Sequence, residues 1–300
     1  MAESTINAQG YFLPIEGKAL KLIECSRDAM QGWKTVIPTQ KKIEYIDQLL
    51  KVGFDTIDFG SFVSPKAIPG MADTKEVIKE LDTAGSPTKL LAIIANERGA
   101  NEAMEFEKIS YLGFPFSVSP TFQKRNTNST IEESLERVTK INSLCNLSSR
   151  ELVVYISMAF GNPYGDPYDE KLVLEWIRKL SGVGVKTISL ADTVGLAQPA
   201  QVSAIVERVI AAFPGIETGV HLHSTHDHWK QKVDAALQNG CMRFDGALKG
   251  IGGCPMAGDK LVGNMDTQLM STHFKQLGYP DNLNEAALAK ASEMSSKIFK

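Results

Sequence analysis

The sequence predicts an α/β protein of the (β/α)8 TIM-barrel class with extra C-terminal helices. Three observations lead there. Eight short apolar runs alternate with segments of helical spacing, the pattern of a parallel sheet with helical crossovers. Eight is the number at which such a sheet closes on itself. Reactive residues fall directly after the runs, where a barrel gathers its loops on one rim. The rival class, an open doubly wound sheet, is disfavoured because no GxGxxG fingerprint or P-loop follows any run.

Lys21–Cys25 is the first strand, and the polar Ser26–Asp28 after it reads as a loop. Ile43, Ile46, Leu49 and Leu50 recur at helical spacing, which predicts a helix over Thr39–Val52 capped by Gly53. Asp55–Phe59 is the second strand, followed by a loop over Gly60–Met71. Helix Lys75–Leu81, strand Lys89–Ala95, helix Asn101–Phe106 and strand Ile109–Phe114 repeat the unit. Pro115–Ser129 reads as a long loop before the helix Ile131–Leu144, whose start carries a capping box, Thr130 with Glu133. Strand Leu152–Phe160 and helix Glu170–Gly182 follow, then strand Val185–Leu190 and helix Pro199–Phe213. Strand Thr218–His223, helix Trp229–Asn239 and strand Met242–Ala247 complete the eight. Helical patterns run to the end. The expected division is one catalytic domain over 1–300, with the barrel over about 20–250 and a lid loop and helices over 251–300.

A chain of 300 residues, 43% hydrophobic and 22% charged, can bury a large core without staples. Its net charge of −3 and lack of a basic block argue against nucleic acid or an anionic membrane as partner. Cys25, Cys145, Cys241 and Cys254 show no CxxC spacing and read as reduced thiols, which points to a cytoplasmic setting. The first ten residues lack the apolar core of a signal peptide, and runs such as Leu152–Ile156 are too short to span a bilayer.

The densest chemical signal is Gly219-Val220-His221-Leu222-His223. Imidazoles at i and i+2 of a strand share a face, a start on a divalent-metal site. Arg27-Asp28 follows the first strand, Asp58 and Ser61 the second, Asn162 and Tyr164 the fifth, and Asp192-Thr193 the sixth. Cys254 and Asn264 lie beyond the eighth, after the glycine-rich Gly250–Pro255. Each has a plainer reading: Asp28 as a helix cap, Asn264 as a turn residue, Arg27 as a surface ion pair. An aspartate, two histidines and an amide oxygen together suit Mg²⁺, Mn²⁺ or Zn²⁺ better than a thiolate-preferring ion. Cys254, flanked by glycines, reads as a proton donor on a closing loop, or as a bystander. His226 and His228 read as solvated or supporting residues, and His273 as structural.

Several motifs in order give a resemblance. They are Arg27-Asp28-Ala29-Met30-Gln31, Ser61-Phe62-Val63-Ser64-Pro65-Lys66, Asn96-Glu97-Arg98-Gly99, Ile131-Glu132-Glu133-Ser134, Ser189 to Gly195, the paired histidines and Gly252-Gly253-Cys254-Pro255. From about residue 20 to 270 the chain resembles the 3-hydroxy-3-methylglutaryl-CoA lyase family, in a metal-dependent barrel superfamily that also includes isopropylmalate and homocitrate synthases. The resemblance implies that Asp28, His221, His223 and Asn264 hold a divalent cation, Mg²⁺ or Mn²⁺ before Zn²⁺. It implies Arg27, Asp28, His221 and Cys254 as catalytic residues, with Arg27 at the enolate oxygen and Cys254 as the loop thiol. Gln31, Asp58, Ser61, Asp192 and Thr193 would bind substrate. The implied partner is an acyl-CoA, and the implied assembly a homodimer.

The chain departs from the family pattern at Asp58, a glutamate there, and at Cys25-Ser26, a Gly-Pro there. It departs again at Asn162 and over Ser224–His228. The expected reaction is retro-Claisen cleavage of 3-hydroxy-3-methylglutaryl-CoA to acetyl-CoA and acetoacetate, with Asp28 or His221 as base. The rivals are a synthase condensing acetyl-CoA with a 2-oxo acid, and a non-catalytic binder of metal or acyl-CoA. On this reading Arg27→Met should cost rate with little effect on folding.

Overall fold

The computed structural model describes residues 11, 19–225, 228–253, 262–279 and 282–300. Within them eight parallel strands close into a barrel in chain order: β1 Lys21–Glu24, β2 Thr56–Ser61, β3 Lys89–Ile93, β4 Ile109–Ser117, β5 Glu151–Ser157, β6 Thr187–Ala191, β7 Glu217–His221 and β8 Arg243–Gly246. The ring shuts where β1 pairs with β8, Ile23 opposite Asp245 and Glu24 opposite Gly246. The alternation seen in the sequence is therefore a closed barrel, not an open sheet.

Helices α1 (Ser26–Gln31), α2 (Thr39–Leu50), α3 (Thr74–Glu80), α4 (Glu97–Met104), α5 (Pro120–Thr127) and α6 (Ile131–Leu147) lie between β1 and β5. Helices α7 (Glu170–Gly182), α8 (Pro199–Ala212) and α9 (Trp229–Leu237) separate the later strands. The extra C-terminal helices are α10 (Thr267–Gln276) and α11 (Glu285–Ile298). The main core fills the space between sheet and helices, with Ile57, Leu112, Val154, Ile188 and Val220 pointing outward into it. A small separate core, Leu91, Tyr111, Val153 and Tyr155, fills the lumen. Strands covered on both faces read as near-continuous apolar runs, which is why they were visible in the sequence.

Two segments differ from the loop readings. Ser26–Asp28 is not a loop but the first turn of α1, and all three residues are buried. Polarity was misleading because their side chains are satisfied by hydrogen bonds inside the protein. Pro115–Ser129 is not one long loop either. β4 continues through Pro115, paired with Tyr155, to Ser117. Ser119 then caps α5, accepting from the Phe122 N–H at 3.1 Å, with Pro120 in the first turn. The capping box of α6 is present as read, with Thr130 and Glu133 each accepting from the other's N–H at 3.1 and 2.8 Å. β5 ends at Ser157 and β7 at His221, so His223 stands two residues beyond its strand.

Candidate active site

The short helix α1 begins directly off β1 at the C-terminal mouth, which carries Arg27 and Asp28 over the lumen. Arg27 is buried and forks onto Asp58 of β2: Nε donates at 3.0 Å and Nη2 at 2.5 Å to Oδ2. Its Nη1 donates to Asp28 Oδ1 at 3.0 Å. Asp28 also receives Gln31 Nε2 at 3.0 Å, the Gly253 N–H at 3.2 Å and Asn264 Nδ2 at 2.7 Å. Four donors thus fix one carboxylate, and two of them come from beyond residue 250.

Ligand atoms of Asp28, His221 and His223 all lie within 4.8 Å of one another, the spacing of groups that can share one cation. The two imidazole centroids are 5.1 Å apart and the rings are nearly perpendicular. His223 Nδ1 lies 3.3 Å from the Thr193 carbonyl oxygen, which can only accept. The ring proton therefore sits on Nδ1, and Nε2 carries the lone pair. That Nε2 is buried with no hydrogen-bond partner. An orphaned buried acceptor costs free energy unless something fills its place, so the atom fits a metal ligand. A bridge joins His223 to Asn264. Asn264 turns its amide nitrogen to two acceptors, Asp28 Oδ2 at 2.7 Å and the Ile251 carbonyl at 2.9 Å. Gly252 makes this approach possible: at φ +105°, a Cβ there would lie 2.6 Å from Asn264 Nδ2 and 3.0 Å from the backbone of Ala29.

The electrostatics favour a neutral His223 and an ionised Asp28. Burial opposes charge on Asp28, but Arg27 and the two histidines hold it at about 2. Burial, and then the neighbouring His221, lower His223 to about 4. His221 shifts upward, because its bond to Asp245 outweighs burial. Asp58 is raised by burial in spite of Arg27. The Cys25 thiol is pushed well up by burial and by the acids around it.

A cavity of about 570 Å³ opens over these residues, lined by Arg27, Asp28, Gln31, Thr193, His221 and His223 among others. Its apolar wall includes Trp33, Val63, Ile68, Phe122 and Tyr155, and Arg125 of α5 stands in it. Asp58, Ser61 and Asp192 do not line it. Asp58 sits behind Arg27, Ser61 Oγ accepts from the Val63 N–H at 3.2 Å, and Asp192 is held by Lys232 Nζ at 2.8 Å and the Ala197 N–H at 3.0 Å. Thr193 Oγ1 accepts from the Met158 N–H at 2.9 Å. Cys254 and His226 lie outside the described residues. His228 is exposed, and His273 is bound to Asp234 at 2.6 Å, away from the mouth.

Sequence reasoning missed Asp245, 3.2 Å from His221. It also missed Lys232, which ties Asp192 to the His223 carbonyl at 2.7 Å. For Asp245 a signal existed: Arg243-Phe244-Asp245 has the same period-two pattern as the histidine pair.

A parallel eight-stranded barrel with a candidate divalent-ion centre at its C-terminal mouth defines a class of metal-dependent barrel enzymes. Within that class the chain belongs to the HMGL-like family, whose profile matches residues 20–294. It is 32% identical to the hydroxymethylglutaryl-CoA lyase YngG of Bacillus subtilis over 275 residues, 91% of each chain. It is 32% identical to the cytoplasmic 3-hydroxy-3-methylglutaryl-CoA lyase of Homo sapiens, over 93% of this chain and 75% of that one. An HMG-CoA lyase of Acinetobacter baumannii, solved with coenzyme A and 3-methylmalate, superposes with a TM-score of 0.87 at 32% identity, covering 96% of this chain and 93% of the other.

Proposed function

We propose that this protein cleaves 3-hydroxy-3-methylglutaryl-CoA, or a closely related 3-hydroxyacyl-CoA, to acetyl-CoA and acetoacetate. The observation that carries the reading is the convergence of Asp28, His221 and His223 on one point beside Arg27, inside a cavity large enough for an acyl group. Family membership supports the same chemistry, and the Acinetobacter relative's bound coenzyme A supports a thioester substrate.

Asp28, His221, His223 and Asn264 would hold the divalent cation; two oxygen and two nitrogen donors suit Mg²⁺, Mn²⁺ or Zn²⁺, with Mg²⁺ or Mn²⁺ first on the family resemblance. When bound there, the cation supplies Lewis-acid charge that acidifies the substrate's tertiary hydroxyl. The residues do the rest. Asp28 or His221 takes the hydroxyl proton; His221 can do so only with Nε2 off the cation, because Nδ1 keeps its proton against Asp245, and Asp28, held near 2, is the weaker base. The C2–C3 bond then breaks, its electron pair passing to C2 and the thioester oxygen, while C3 becomes the ketone of acetoacetate. Arg27, fixed by Asp58, presents positive charge where the enolate oxygen develops. A proton returned to C2 completes acetyl-CoA, and Cys254 is the proposed donor. Gln31 and Thr193 face the substrate from the cavity wall, while Asp58, Ser61 and Asp192 hold that wall in place. One catalytic domain, a homodimeric assembly and a cytoplasmic setting belong to the same reading. No described helix is long and apolar enough to cross a membrane.

The test is a product assay with 3-hydroxy-3-methylglutaryl-CoA, with and without Mg²⁺. Acetoacetate formed only with the cation supports the reading. Release of free CoA from acetyl-CoA plus a 2-oxo acid, without acetoacetate from the thioester, would replace it with a synthase.

A further inference from the structure

β7 and β8 run in register, His221 opposite Asp245 and Gly219 opposite Arg243. Residues two apart on a strand share a face, so Arg243 and Asp245 enter the lumen on the side of His221. Both are almost fully buried, at 1% and 2% exposure. Asp245 Oδ2 lies 3.2 Å from His221 Nδ1 and receives Ser189 Oγ at 3.4 Å. A carboxylate oxygen accepts, so this contact places the ring proton on Nδ1 and the lone pair on Nε2. His221 thereby gains the same tautomer that the Thr193 carbonyl gives His223.

Below this pair, Arg243 buries a guanidinium whose three nitrogens have no hydrogen-bond partner. Its nearest salt-bridge carboxylates, Asp55 and Glu217, lie 4.0 and 3.9 Å from Nη1. Gly219 leaves room for its stem, since a Cβ there would lie 2.8 Å from Arg243 Cδ. Of the charges that offset the burial of Arg243, Asp245 counts most. Asp245 therefore faces a cation below and an imidazole above.

We propose that Asp245 is a positioning residue: it fixes the tautomer and plane of His221 so that Nε2 is presented to a divalent cation together with Asp28 and His223. The inference rests on the metal reading above. Loss of such a partner typically weakens metal binding about 10–100-fold.

Asp245→Leu alone would strand the Arg243 charge, so the comparison uses Arg243→Met as reference. In the double variant R243M/D245L both lumen charges give way to apolar groups, an exchange that folded proteins often tolerate. Mn²⁺ is titrated calorimetrically into the full chain. The double variant should bind about 10–100-fold more weakly than R243M, with the melting temperature of the metal-free protein little changed. R243M/D245N, which keeps an acceptor for Nδ1–H, should recover part of the loss. Affinity of the double variant within twofold of R243M would overturn the proposal. So would a strong thiolate charge-transfer band with Co²⁺ in Cys254→Ser protein that is lost on Cys25→Ser: it would place the ion among Cys25, His221 and Asp245, a second group within 4.8 Å, and make Asp245 a ligand. Wild-type protein that binds no Mn²⁺, or that binds it equally well as His223→Ala, would overturn the metal reading itself, whatever Asp245 does.

Discussion

Replacing Arg27 by methionine tests the centre of the site. In the structure Arg27 is buried, and its guanidinium is the hydrogen-bonded cation for the fully buried Asp58. Removing one partner of a buried, hydrogen-bonded ion pair typically costs about 3–5 kcal/mol, because the other charge is left stranded. Asp58 is already raised by burial and can take up a proton, which places R27M towards the lower end of that range. At roughly 2 °C per kcal/mol in a chain of this size, the melting temperature should fall by about 6 °C. The structure thus replaces the expectation of little effect on folding with a double loss. Rate should fall as well, by about 10²–10³ in kcat if Arg27 acts on developing enolate charge. The double variant R27M/D58N separates the two effects: it removes the stranded acid and should regain most of the stability but none of the rate. The assays are urea unfolding and acetoacetate release under saturating Mg²⁺. R27M/D58N turning over within threefold of wild type would refute the enolate role. R27M as stable as wild type would refute the energetic argument.

Exhaustive chelation should abolish activity and Mg²⁺ or Mn²⁺ should restore it; activity that survives chelation counts against Asp28, His221 and His223 as ligands. Gly252→Ala should weaken Mn²⁺ binding and lower kcat, because the new Cβ displaces Asn264 and the φ of +105° is strained for alanine; unchanged Mn²⁺ affinity would show that Asn264 does not depend on that approach. Glu24 is buried and accepts from the Leu248 N–H at 3.0 Å and Thr267 Oγ1 at 2.6 Å, and burial pushes it up to about 8. Its folded pKa exceeds the ordinary 4.5, so its contribution is fully present below 4.5 and is lost as pH rises through 8. Urea unfolding at pH 5.5 and 8.5 should show wild type losing more stability than Glu24→Gln; equal losses would clear Glu24 of the effect.

The strands were legible because both faces of each are covered, so burial wrote long apolar runs into the sequence. The meeting of Asp28 with His221 and His223 was legible in part, because strand ends put all three on one rim, while Asn264 entered only through the family resemblance. Helices α1 and α5 were not legible. Much of the buried part of α1 is polar: beside Ala29 and Met30 it buries Ser26, Arg27 and Asp28, which reach Asp58 and Asn264, 31 or more residues away. In α5 only Phe122 and Gln123 are buried, too few to leave a helical stripe. Asp245 was half legible: period two puts it on one face with Arg243, but its meeting with His221 requires the register of β7 against β8.

The barrel shuts between its first and last strands, and Asp28 on one side of that seam meets Asn264 on the other. A cation shared by the two would work as a clasp between the chain's opposite ends. It would hold shut the one strand pairing among the described residues that joins positions more than 200 apart. By mass action, an ion at a hundred times its dissociation constant adds about 2.7 kcal/mol to the folded state, and part of that would guard this seam against unzipping. The centre that breaks a carbon–carbon bond would then also keep the ring from opening.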